Sequence, residues 1–379
     1  MNLGGGYFSG KRLLRIRYES ETGKKWPDRI WIKMITKLIE YKGVIDLPLR
    51  QRRLGLELND TLLKLVEVSQ KKKQIRVEQV VSHPLPSVWN RDGVFIEQEE
   101  LTQSVKEALT GRRFSTRKVH VALNSRHVMI QHKQVPIMKK RQLPRYLKEH
   151  ILPTCNLPFT DPMLNYLCLE QDQIAGTQNL LLVMVSKSYI ETLIKIIEQC
   201  GLQPVWIDLS SLSLFRWLSY VNSKQPMSTK LLTLNFSVTG VELSLFKDGD
   251  LQEVSYIPLQ MAAHRHGEDH PQPDPLKPIL LESSEVESYG KALLLELQKQ
   301  LQAWEEAYGW KPQHWLCTGE GIDFSLLQTV LTTEEIKVTT SDLPEELLSN
   351  SLQESASRWI GASLSVPIGL LLDGKVQMI

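Results

Sequence analysis

The stretch LGLELNDTLLKLVEV, Leu54 to Val68, reads as a strand, a polar turn and a second strand. The stretch LLTLNFSVTGVELSLF, Leu231 to Phe246, repeats that plan. In both, apolar and polar residues alternate with the period of a half-buried strand. Each is followed by further strands and then by a helix. A chain that repeats one supersecondary unit folds as two related halves, and 379 residues suit two domains or one large domain with insertions.

Between the repeats the reading is regular. IRVEQVVSHPL is a third strand, and 99–110 is a helix stopped by Gly111. KVHVALNS and HVMIQHKQVP are strands, and 141–150 is a helix with Pro144 in its first turn. NLLLVMVS is a buried strand. SKSYIETLIKIIEQCG is a helix capped by a Ser188–Glu191 box. NSKQPMS, 222–228, connects the halves. KDGD is a tight hairpin turn, 285–308 is a long amphipathic helix, and HWLCTGEG is a strand ending in a glycine turn.

Residues 1–53 hold thirteen Lys/Arg and five Asp/Glu. Their balance of +8, against a chain total of +2, leaves −6 for the remainder. Residues 1–51 are therefore read as a separate basic extension, either a poorly ordered tail or a short membrane-surface helix over WPDRIWIKMITKLIEY. A net charge this small gives no whole-chain field for nucleic acid. Cys155, Cys168, Cys200 and Cys317 form no C-x-x-C pair and are expected to be free thiols in a reducing compartment. No 18-residue apolar run is present, and a cytoplasmic protein is expected.

The order of elements resembles the PilM family of type IV pilus assembly proteins, which is actin-like and related to the division protein FtsA. Four places carry the resemblance: GLELNDTLLKLVEV, KVHVALNSRHVMIQHKQVP with LPFTDPMLNYLCL, NFSVTGVELSLFKDG, and LCTGEG with SVPIGLLL. It implies a duplicated actin-like, ribonuclease H-like α/β fold with two halves flanking a cleft. The halves would be 52–116 with 202–225, and 226–379, with an inserted subdomain over 117–201. It implies a cytoplasmic scaffold at the inner face of the cell membrane. The scaffold would hold the tail of a PilN-like bitopic protein beside other inner-membrane pilus components, and reach the membrane through them. The alternatives are an actin-like ATPase and an FtsA-like membrane-associated polymer.

The same resemblance marks a nucleotide site. Glu57, Asn59, Asp60, Thr61 and Lys64 stand in the first hairpin, Asn235 and Ser237 in the second, and Gly319 and Gly321 in the adenosine loop. ATP with Mg would be the ligand. The family's phosphate-hairpin glycines are replaced by Asn59 and Ser237, and a family aspartate by Asn235. A Cβ and side chain there crowd a phosphate. Weak or absent binding and no catalytic residue are therefore expected. Glu320 interrupts the adenosine-loop glycines and can point outwards; Glu242 stands at a second acidic position, with a solvent-facing strand residue as the alternative. His264, His266, Asp269 and His270 lie in a proline-rich loop without fixed ligand geometry, so no metal site is assigned. MKKR, 138–141, is read as a solvated turn.

Overall fold

The computed structural model describes residues 51–71, 74–86, 90–91, 94–95, 97–222, 228–266, 274–355 and 359–372. The basic extension, most of the 222–228 connection, and Asp269 and His270 lie outside the described residues.

The first half opens with β1 (Gln51–Leu58), β2 (Leu62–Lys71) and β3 (Gln74–Pro84). A short pair, β4 (Asn90–Arg91) and β5 (Val94–Phe95), leads into α1 (Gln98–Leu109) and β6 (Lys118–Leu123). Next come β7 (Val128–Pro136), α2 (Leu143–Tyr146), β8 (Pro162–Asp172), β9 (Thr177–Ser186) and α3 (Lys187–Gln199). β10 (Gln203–Leu209) and α4 (Ser210–Val221) return to the first sheet. The second half runs through β11 (Lys230–Ser237), β12 (Gly240–Lys247), β13 (Asp250–Ile257) and α5 (Ser283–Tyr308). It continues with β14 (His314–Gly319), α6 (Phe324–Leu331) and β15 (Lys337–Thr340). Three short helices close the chain: α7 (Asn350–Ser355), α8 (Ile360–Ser363) and α9 (Ser365–Gly369).

The duplication is topological. One sheet has the order β3-β2-β1-β6-β10 and the other β13-β12-β11-β14-β15. In each, three antiparallel strands are followed by two parallel ones. Glu57 pairs with Lys64 across the first hairpin, and Asn235 with Glu242 across the second. The two pairs occupy corresponding register positions. A third sheet, β7-β9-β8, carries its own small core of Val135, Leu143, Leu147, Leu180, Leu182 and Met184.

Apolar cores explain the layering. The stripe Val286, Tyr289, Leu293 and Leu297 of α5 is fully buried in the second half. Leu364, Val366 and Ile368 of the closing segment pack into the core of the first half, against α4 and β1. The KDGD turn is the tight hairpin its sequence predicts, with Asp248 at φ 51° and Gly249 at φ 82°.

Three local expectations change. The central strands are covered on both faces, so Glu57, Lys64 and Glu67 are buried rather than facing water. Alternation states which residues share a face, not whether that face is covered. Helix α3 is capped by Ser186, whose oxygen accepts from the Tyr189 N–H. Asp161 braces that end, taking the Ser188 N–H at 2.6 Å, so Ser188 lies inside the helix. The helix expected over 141–150 begins at Leu143, and Leu147–Ile151 widens into a π-helical turn.

Candidate functional site

The candidate site is the cleft where the two hairpins face each other. In the first hairpin, the Asn59 side-chain oxygen accepts the N–H groups of Thr61 at 3.1 Å and Leu62 at 2.7 Å. This is an Asx-type closure that lets the turn form without glycine. Both bonds fix the amide's orientation, so its NH2 points into the cleft and donates to Glu320 Oε1. Lys64 Nζ, 1 % exposed, lies 2.9 Å from Glu57 Oε2 and 2.8 Å from Glu320 Oε2. Glu320 belongs to the second half. It is buried, and points inwards rather than outwards.

Gly319 and Gly321 aim it. Their φ angles are +109° and +95°. A Cβ at Gly319 would lie 2.1 Å from the Phe236 carbonyl oxygen, and one at Gly321 2.5 Å from Met261 Sδ. Only glycine fits either position.

Two buried carboxylates therefore flank one ammonium. Burial raises the Glu57 carboxyl to about 7; Lys64 opposes the rise, and Glu320 and Glu242 add to it. Burial works against the Lys64 charge, but the Glu320 and Glu57 carboxylates outweigh it and hold the ammonium protonated.

The second hairpin reaches the other way. Glu242 is buried, which excludes the solvent-facing alternative and leaves it as a second acidic position facing the cleft. Its Oε1 accepts from the Ser125 N–H at 3.2 Å and from the hydroxyls of Ser125, Ser210 and Ser211. Those serines follow β6 and open α4, and β6 pairs with β1 and β10 in the first sheet instead of opening the insertion expected over 117–201. Asn235 supplies its amide to Glu242 Oε2 at 3.3 Å.

The hairpin tips also meet. Asp60 Oδ2 accepts from Arg126 at 2.7 Å and from the Thr239 hydroxyl at 2.8 Å. Thr239 bonds Tyr256, over whose ring the Arg126 guanidinium sits at 5.1 Å. Ser237 stays within its own turn, bonded to Thr239 and to the Gly240 carbonyl. Thr61 joins the turn through its main chain.

The structure thus brings Glu57, Asn59, Lys64 and Glu320 into one cluster and Asn235 into a second, with Asp60 between the tips. Sequence reasoning missed Ser125, Ser210 and Ser211. The serine pair opening α4 was the signal, but its partner lies about thirty residues away. It also missed Arg126, Thr239 and Tyr256. The glycines bracketing Glu320 were visible, and the direction of its side chain was not.

Elsewhere, burial pushes the Cys317 thiol up to about 12 and that of Cys200 to about 11, with Lys106 opposing slightly in the second case. Neither is a nucleophile at neutral pH. None of the four cysteines is in a disulfide; Cys155 and Cys168 are half-buried. His266 approaches Glu282 and Glu285. Glu285 is committed to the start of α5, where it accepts the N–H groups of His266, Leu281 and Glu282.

Two matching sheets with hairpins facing across a cleft define a protein of the actin-like fold class. The family model described as type IV pilus assembly protein PilM matches residues 55–249, just over half of the chain, and the chain belongs to that family. Among solved structures, a PilM–PilN type IV pilus biogenesis complex is similar, with 22% identity and a TM-score of 0.65. The match covers 85% of this chain and 98% of that one. The cytoplasmic domain of EpsL, an inner-membrane component of the Vibrio cholerae type II secretion system, is 12% identical, with a TM-score of 0.43. It covers 82% of this chain and 98% of its own. A Bacteroides thetaiotaomicron protein with an actin-like ATPase fold is 13% identical over 80% and 95% of the two chains, with a TM-score of 0.39. No curated protein matches the sequence.

Proposed function

We propose that this chain is a non-enzymatic scaffold of a type IV pilus-type assembly machine. It works at the inner face of the cell membrane, holding the cytoplasmic tail of a PilN-like bitopic membrane protein and contacting other inner-membrane components. Its role is mechanical coupling, and it reaches the membrane through its partners. No helix among the described residues is long and apolar enough to cross a membrane.

Membership of the pilus assembly family supports the setting, and the similar PilM–PilN complex supports the partner class. The observation that carries the non-enzymatic reading is the cleft itself. Glu320 takes the Lys64 ammonium and the Asn59 amide, Glu57 lies against Lys64, and Glu242 accepts from several serine hydroxyls. Phosphoryl chemistry needs donors and a metal-ordering carboxylate aimed at a phosphate. Here those groups are spent on the link between halves. In this reading the site residues Glu57, Asn59, Asp60, Thr61, Lys64, Asn235, Ser237, Gly319 and Gly321 form a degenerate nucleotide pocket that sets the angle between the halves.

The test is fluorescence anisotropy with the labelled cytoplasmic tail of a PilN-like bitopic protein from the same organism, together with calorimetry against Mg-ATP. Saturable tail binding and no heat with Mg-ATP are expected. Mg-ATP hydrolysis above the background of a Lys64→Met control would overturn the scaffold reading in favour of an ATPase.

A further inference from the structure

We propose that Glu320 is an internal ligand: the first hairpin presents an oxyanion site, and the second half fills it with its own carboxylate. This rests on the reading of the cleft as a closed junction and names what closes it.

The donors come from one element and the anion from another. The Lys64 ammonium meets one oxygen of Glu320 at 2.8 Å, and the Asn59 amide donates to the other. Each carboxylate oxygen thus has its own donor, the two-point arrangement by which proteins hold carboxylates and phosphates. Neither donor is free to turn away. The Asn59 amide is locked by the N–H groups of Thr61 and Leu62 on its oxygen. The Lys64 stem is buried along β2. The acceptor is equally constrained: the Glu320 N–H bonds the Phe236 carbonyl at 3.1 Å, and both flanking glycines sit at positive φ against neighbouring atoms.

A simple ion pair between halves would need one carboxylate for one ammonium. Lys64 already has Glu57 on its own hairpin at 2.9 Å. Lys64 thus has a carboxyl beside it within the first half, and Glu320 arrives as a second, from the other half. It does what a bound anion would do, joining the two halves at the hairpin, without depending on ligand concentration. The scaffold is thereby held in one relation of its halves whatever the cellular supply of phosphate compounds. Without the side chain, the cradle would take a small carboxylate or a phosphate group.

The experiment is thermal unfolding of the full chain, wild type and the variants E320A and E320Q, in formate, inorganic phosphate, Mg-ATP and chloride at equal ionic strength. E320A should unfold at lower temperature than wild type. Formate or phosphate should then raise its Tm by about 2–4 °C beyond chloride, saturating with concentration. Wild type should show no such rise, nor should E320Q, which fills the space and keeps an oxygen towards Lys64. A response to formate alone identifies a carboxylate-sized site, and a response to phosphate and Mg-ATP a phosphate site; both support the internal ligand. A folded E320A whose Tm is the same in formate, phosphate and chloride overturns it. If E320A does not fold, E320S is melted in the same buffers, and the same silence overturns the proposal. Failure of the scaffold reading shows separately, as wild-type ATP hydrolysis or loss of tail binding, neither of which this series measures.

Discussion

The two hairpins share a topology and a register but hold the cleft by different chemistry. The first offers a cation, Lys64, and receives a carboxylate from the loop after β14. The second offers a carboxylate, Glu242, and receives hydroxyls from the loop after β6 and the start of α4. Each hairpin is thus bonded to the loop that follows the first parallel strand of the opposite half. The link is charged on one side and charge-to-dipole on the other. The difference decides what each side tolerates. A buried ammonium between two carboxylates has no substitute if removed, whereas several hydroxyls around one carboxylate back each other up.

Removing the cation should break the comparison most sharply. Lys64→Met leaves Glu57 and Glu320 facing each other without a counter-charge, and a loss of about 3–5 kcal/mol in urea unfolding is expected. Glu242→Gln should cost less, about 1–2 kcal/mol by the same measurement, because a neutral amide oxygen still accepts from the serines. A larger loss in Glu242→Gln than in Lys64→Met would reverse the assignment of roles.

The pH dependence separates the hairpins further. Glu57 binds its proton more tightly folded than unfolded, its pKa rising from 4.5 to about 7. Its contribution to stability is therefore complete below about 4.5 and is lost as pH rises through about 7. The urea midpoint of wild type should fall relative to that of Glu57→Gln between pH 5 and 8, and parallel curves would contradict the burial of that charge. The smallest effect is expected at the tips. Thr239→Val removes the hydroxyl on Asp60, which keeps its pair with Arg126 at 2.7 Å. A cost of about 1 kcal/mol or less is expected in thermal unfolding.

The hairpins, the α5 stripe from Val286 to Leu297 and the KDGD turn were legible because each is a local pattern, settled by residues a few positions apart. The duplication followed from two such patterns read together, and the family from their order. The cap of α3 was misplaced by two residues, because Asp161 reaches it from 27 positions away. Of the cleft residues, Asn59 could be read as a turn former from its own side chain. Glu320 could not be read as its partner.

By itself, then, the sequence determined two hairpins of related plan, the missing glycines that separate them from a phosphate cradle, and the glycines that bracket Glu320. Only the tertiary structure decided that Glu320 turns inwards onto Lys64, 256 positions away, and that Glu242 is buried among serines. The physical reason is that strand alternation assigns a residue to a face. What covers that face is settled when the two halves close, and only then does a surface charge become a buried ligand.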